Sequence, residues 1–263
     1  MDKPGRRSAR GRAGPLAALA VTLLAVAGSG VHAETEHAGD TGSRAAAVAL
    51  DSWTADYRVQ YGGSTVGEAH FELTDLDTVG VRRLESRTKA KGIARLLRSR
   101  EVVESSTFTA GLGLRPLAYR FEDGTRRGKK NMQIDFDHER AVALSLYQGD
   151  TYELELDCEV HDRVLVILAM MRDAAADDLA PGYRVADKRE VKTYQLEGPL
   201  RETVETPVGA FETLHYTRRR EGSSRVMEMW LAPELDYLPV RMRHSKEGKE
   251  TARLELTASS KLP

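Results

Sequence analysis

The chain has 263 residues, with 39 Lys/Arg against 40 Asp/Glu and a formal net charge of −1. That balance lacks the basic excess of a nucleic-acid binder, so no nucleic-acid partner is expected. One cysteine, Cys158, excludes an internal disulfide, and the fold must rest on its apolar core.

Residues 1–33 have the three parts of a secretory signal. Arg6, Arg7, Arg10 and Arg12 make a basic start, Leu16 to Ala27 is a short apolar stretch, and Val31-His32-Ala33 offers a cleavage site before Glu34. The apolar stretch falls short of the ~20 residues needed to span a bilayer, so cleavage is expected over anchoring, with no transmembrane segment afterwards. No cysteine stands near the new N-terminus to carry a lipid. Removing five basic and one acidic residue leaves a mature chain near −5. Residues 34–50 are Ala/Gly-rich and aperiodic and read as a flexible leader, with one β domain over 51–263.

From Trp53 the dominant signal is alternation. Met132, Ile134 and Phe136 interleave with Gln133 and Asp135; Val142, Leu144 and Leu146 keep the same beat; Tyr152, Leu154 and Leu156 interleave with acids. This period of two marks antiparallel strands with one wet and one dry face. Gly62-Gly63, Asp123-Gly124, Gly149-Asp150, Glu221-Gly222 and Glu247-Gly248 supply turns, giving about a dozen strands spaced like a meander.

Two segments break the rhythm. Gly92 to Ser99 reads as a short helical turn. Asp162 can cap a helix running to about Ala176, before a Pro181-Gly182 stop. Val164, Ile167, Leu168 and Met171 form its stripe, while Leu165, Val166 and Met170 fill the other side. A helix apolar nearly all round is a buried one. The fold class that follows is mainly all-β: an antiparallel curled sheet, or an incompletely closed β-barrel, with one main helix packed on its concave face.

Farther on, Pro207 and Gly209 open one strand, Pro233 to Asp236 closes another, and Leu238-Pro239-Val240 launches the next. Met227, Met229 and Leu231 share one strand face, and Val226, Glu228 and Trp230 the other; Val240 and Met242 oppose Arg241 and Arg243. Methionine adapts to irregular space, so these residues suit either a gap-filled core or a pocket for a flexible apolar ligand. The candidate ligand-lining set is Met227, Met229, Leu231, Val240 and Met242 from the strands, with Val164, Ile167, Leu168 and Met171 from the helix.

No catalytic constellation is written locally. The stretch from Gly124 to Lys130 has the wrong spacing for a phosphate loop and lies between strands, and Gly62 to Gly67 lacks the spacing of a nucleophile elbow. The histidines of the mature chain (His37, His70, His138, His161, His215 and His244) fall at no metal-binding spacing, so neither metal nor cofactor is expected. A long-range pairing of His215 with His244 is left open. Cys158 has only His161 nearby and reads as an inert, partly buried thiol. Basic residues cluster at Lys89, Lys91, Arg95, Arg98 and Arg100, at Arg126, Arg127, Lys129 and Lys130, and at Arg218–Arg220. They suit either anionic groups of envelope molecules or the blocking of edge-to-edge aggregation.

Several motifs together resemble the DUF3108 family of exported bacterial proteins. They are Y-R-V-Q-Y-G-G (Tyr57–Gly63) with Gly67, L-R-P-L-A-Y (Leu114–Tyr119), L-A-P-G-Y (Leu179–Tyr183), T-P-V-G-A-F-E-T (Thr206–Thr213) and W-L-A-P-E-L-D-Y-L-P-V-R (Trp230–Arg241). The resemblance implies an exported, β-rich, periplasmic protein and transfers no catalytic residue. In outline such a shell is similar to the periplasmic lipoprotein carriers and their outer-membrane acceptors. The expectation is a non-catalytic protein binding a lipophilic or amphiphilic cell-envelope molecule. The alternative is a structural or protein-interaction module of the envelope without a small ligand. An enzyme is not expected unless His215 or His244 converges with carboxylates in a cleft.

Overall fold

A computed structural model describes residues 51–263 apart from Arg98 and Leu112; the signal and leader segments read from the sequence lie outside the described residues. Fifteen strands form one sheet: β1 Trp53–Tyr61, β2 Ser64–Asp75, β3 Val81–Ala90, β4 Val102–Ala110, β5 Leu114–Glu122, β6 Met132–Asp137, β7 Val142–Tyr147, β8 Asp150–Glu155, β9 Val160–His161, β10 Gly182–Asp187, β11 Glu190–Thr206, β12 Gly209–Arg219, β13 Arg225–Ala232, β14 Leu238–Lys246 and β15 Lys249–Ser259. Helix α1 spans Ala94–Leu97 and α2 spans Leu165–Ala175; Pro233–Leu235 forms a 3-10 turn.

The order across the sheet is β8-β7-β6-β5-β4-β3-β2-β1-β15-β14-β13-β12-β11-β10-β9. The chain thus meanders outward from β1 to one edge, crosses over through β9 and α2, and meanders back until β15 closes on β1. Every neighbouring pair is antiparallel except β9–β10. Alternation sets the register: Trp53, Ala55, Tyr57 and Val59 are buried on β1 while their neighbours reach water. A shift of one residue would turn that set outward, which is why hairpins this strongly patterned hold their pairing.

The sheet curls around α2 without closing into a barrel. All residues from Val160 to Met171 are buried, in accord with a helix apolar on every side. The two distant edges meet through side chains instead of a ladder. Ser145 on β7 donates to the carbonyl of Lys188, in the β10–β11 turn, and Arg189 lies 5.2 Å over the Tyr152 ring of β8. The helix begins at Leu165 with Val164 at its cap position, two residues later than read. Asp162 supports that start from outside: its Oδ1 accepts from the amides of Val164 (3.1 Å) and Leu165 (2.9 Å). The helix ends earlier than the Pro181-Gly182 stop. Ala176 closes it and Asp177 turns left-handed at φ 52°, so the proline lies beyond the end already made.

Candidate functional site

The helix enters the shell through Asp162-Arg163, and both side chains are fully buried. Arg163 Nε lies 3.1 Å from Glu104 of β4, Nη1 lies 3.7 Å from Asp187 of β10, and the guanidinium stands 4.7 Å over the Phe121 ring of β5. Tyr119 donates its hydroxyl to Glu104 at 2.5 Å, and Lys192 of β11 donates to Asp187 at 2.5 Å. Ser106 of β4 donates to the second oxygen of Asp162. These contacts join the two halves of the meander from inside. Burial works against the charge on Arg163, but Glu104, Tyr119 and Asp187 outweigh it and hold the guanidinium protonated.

Burial pushes the Asp162 carboxyl up to about 7, against the hydrogen bonds from Ser106, Leu165 and Val164. A raised folded-state value means the native protein holds a proton that the unfolded chain releases near pH 4. The contribution is complete below that point and is lost as pH rises through 7. Buried His161 is pushed down to about 4, by burial first and by Arg172 second, so its contribution is present above pH 6.5 and lost on acidification. Between pH 7 and 5 the two oppose each other at about 2 kcal/mol each. Asp162→Asn removes one side of that balance. Its stability should fall on going from pH 7 to 5 by about 2 kcal/mol more than wild type does. Urea midpoints at the two pH values check this, and equal acid losses in both proteins would show that Asp162 is ionised throughout.

A second buried cation lies beside the network. Arg218 on β12 is 4 % exposed and lies 4.5 Å over the Tyr194 ring, and its Nε and Nη1 have no hydrogen-bond partner. Register sets Arg218 opposite Met227, and Met227 opposite His244, in one row on the inner face. His244 keeps some exposure as a residue, but its Nε2 is buried and unpartnered. Burial, then Arg218 and Arg163, lower the proton affinity of His244, which puts all three in one electrostatic neighbourhood. The row lies next to the turns at 220–224 and 247–248. One step deeper along the strands come Tyr216, Met229, Met242 and Leu254, then Leu214 and Leu231. The inner face therefore grades from cationic near one end to apolar within.

All nine residues of the predicted lining are brought into one contiguous core, each 4 % exposed or less. Almost none of their surface is open to solvent. Arg218–Arg220, a single basic cluster in the sequence, is split by alternation: Arg218 points inward and Arg219 outward. Sequence reasoning missed Glu104, Arg163, Asp187, Lys192 and the inward turn of Arg218. The available signal was Asp162-Arg163 directly before a wholly apolar helix, since a charge so placed must be buried with it.

The outer face holds a different cluster. His215 stacks on Trp230 at 4.2 Å, its Nδ1 is 2.9 Å from Glu202, and the Trp230 indole donates to the same carboxylate at 2.6 Å. Glu228, 3.5 Å from His215 Nε2, is held by Arg243. Thus His215 does meet two carboxylates, but on a sheet surface under an aromatic lid. It cannot pair with His244, which lies two strands away on the opposite face. No group of three or more potential metal ligands occurs among the described residues. Cys158 is exposed, because the turn before β9 carries it outward, and its sulfur lies 3.0 Å from Arg184 Nη1 instead of packing in the core.

With this architecture the chain fits an open β-shell with an internal helix, and the family model described as "protein of unknown function (DUF3108)" matches residues 56–257. The chain belongs to that family. Among solved structures it is similar to a protein from Bacteroides fragilis NCTC 9343 described as exported, with a YmcC-like fold: 11 % identity, 80 % of this chain and 96 % of that one covered, TM-score 0.37. It is also similar to a protein from Parabacteroides distasonis ATCC 8503 described as a lipoprotein: 9 % identity, 80 % and 96 % covered, TM-score 0.32. No curated protein matches the sequence. Among the described residues no helix is long and apolar enough to cross a membrane.

Proposed function

We propose that the chain is an exported, periplasmic, non-catalytic protein that binds an anionic amphiphile of the cell envelope. The observation that carries this reading is Arg218. A buried guanidinium with two unpartnered nitrogens is costly unless something anionic meets it. It stands at the cationic end of a face that becomes methionine-rich with depth, so charge and apolar surface follow each other in the order of a headgroup and its chain. Entry runs past His244, where the row keeps exposure. Methionine side chains, flexible and polarizable, yield to an acyl chain more readily than branched residues would.

The tight burial of the nine lining residues favours a second reading, an envelope structural or interaction module with no small ligand. Native mass spectrometry with lipid extraction of protein purified after export separates the two. The first reading expects one anionic amphiphile per chain, released on denaturation. A bare mass under gentle ionisation, with nothing in the extract, supports the second.

A further inference from the structure

In a meander every second turn falls at the same end. The turns at 91–101, 123–131, 188–189 and 220–224 therefore share one end of the shell, and those at 76–80, 138–141, 156–159 and 233–237 share the other. The sequence scatters its basic residues, but the topology collects them. The first end carries exposed Lys91, Arg95 and Arg100 on one loop and exposed Arg126, Arg127, Lys129 and Lys130 on the next. Arg189 adds to them from the β10–β11 turn. The opposite end is predominantly acidic, with Asp77, Glu139, Asp157, Asp177, Asp178 and Glu234 exposed against Arg140. Exposed Asp150, Glu190, Glu221 and Glu247 offset only part of the basic end. A chain of formal net charge −1 is thus polarised along its strands.

The basic end also carries exposed apolar side chains. Ile93 is 78 % and Leu96 84 % exposed, three residues apart around α1 and flanked by Lys91, Arg95 and Arg100. Side chains at that spacing lie on one side of a helical turn. The two basic loops form a single surface: the Arg100 amide donates to the Gly124 carbonyl at 3.2 Å. Gly124, at φ +67°, has no room for a side chain, because a Cβ would stand 2.8 Å from the Arg100 carbonyl oxygen. Charge alone would suit any polyanion. Cations surrounding a protruding Ile/Leu pair suit a surface that is anionic outside and apolar just beneath.

We propose that this end of the shell docks on an anionic phospholipid bilayer, with Ile93 and Leu96 entering the headgroup–acyl boundary and the Arg126–Lys130 loop on the lipid phosphates. This docking requires no interior ligand and stands whether or not the amphiphile reading holds.

The test is co-sedimentation of protein purified after export with vesicles of phosphatidylglycerol and phosphatidylethanolamine, compared with pure phosphatidylcholine. Wild type should bind the anionic vesicles and release them as salt rises, because surface charges are screened over about 8 Å at physiological ionic strength. Ile93→Asp/Leu96→Asp and Arg126→Glu/Lys129→Glu should each weaken binding by about tenfold or more. Their urea midpoints should not change, because the altered side chains are exposed. Asp177→Lys/Asp178→Lys, at the far end, should not weaken binding. Equal binding by wild type and the Ile93/Leu96 variant, or none by wild type, overturns the proposal. So does tight binding of soluble dextran sulfate that the charge variant loses and the Ile93/Leu96 variant keeps, which would assign the surface to acidic polysaccharide.

Discussion

Replacing Arg163 with Leu should destabilise the protein by about 3–5 kcal/mol, the range for removing one partner of a buried ion pair. The side chain is 1 % exposed and is held between Glu104 and Asp187, which belong to opposite halves of the meander. Leucine fills much of the volume but leaves a buried carboxylate on each side. Lys192 still answers Asp187, so the larger part of the loss falls on Glu104, where only the Tyr119 hydroxyl remains. Arg163→Leu/Glu104→Gln should therefore recover part of the stability, as coupled neighbours do. Urea denaturation of the two variants checks both parts. A loss below about 1 kcal/mol for Arg163→Leu would mean that water reaches the network.

Ile167→Asp should have an effect of similar size for a different reason. Ile167 is 3 % exposed in a helix whose neighbours Val166 and Leu168 are wholly buried, so a carboxylate placed there has no partner and no route to water. Its cost is several kcal/mol, paid either as an unpaired buried ion or as a protonated acid in an apolar core. Thermal unfolding reads the result. A midpoint within a few degrees of wild type would contradict the placement of α2 inside the shell.

Much of the fold was legible because the chain repeats one device. The alternating runs Met132–Asp137, Val142–Tyr147 and Asp150–Glu155 are strands at those positions, and Leu238-Pro239-Val240 does open β14. About a dozen strands were expected and fifteen occur among the described residues; two-residue β9 is one that has no periodicity to detect. The buried helix was legible in Val164–Met171, where apolar residues leave no wet face. The charged interior was not. Glu104 on β4 is far in sequence from Asp187 and Lys192 on the β10–β11 hairpin, and alternation says which face a residue takes but not what it meets there. For the same reason Lys91 and Lys130 read as separate clusters, although alternating strand direction brings both to one end. Arg218 was legible as a basic residue, and only its pairing with Met227 fixed it on the inner face.

The most direct measurement couples stability to binding at that arginine. Arg218 is buried with Nε and Nη1 unanswered, and its stacking on Tyr194 offsets only part of the loss of water. Arg218→Leu should therefore raise stability by about 1–3 kcal/mol, the cost of a buried unsatisfied group, while abolishing displacement of a fluorescent fatty-acid probe that wild type binds saturably. A gain in stability with lost binding is the signature of a residue kept for its ligand. Wild type that takes up no probe, or Arg218→Leu that binds it as well as wild type, would contradict the proposed anionic amphiphile site.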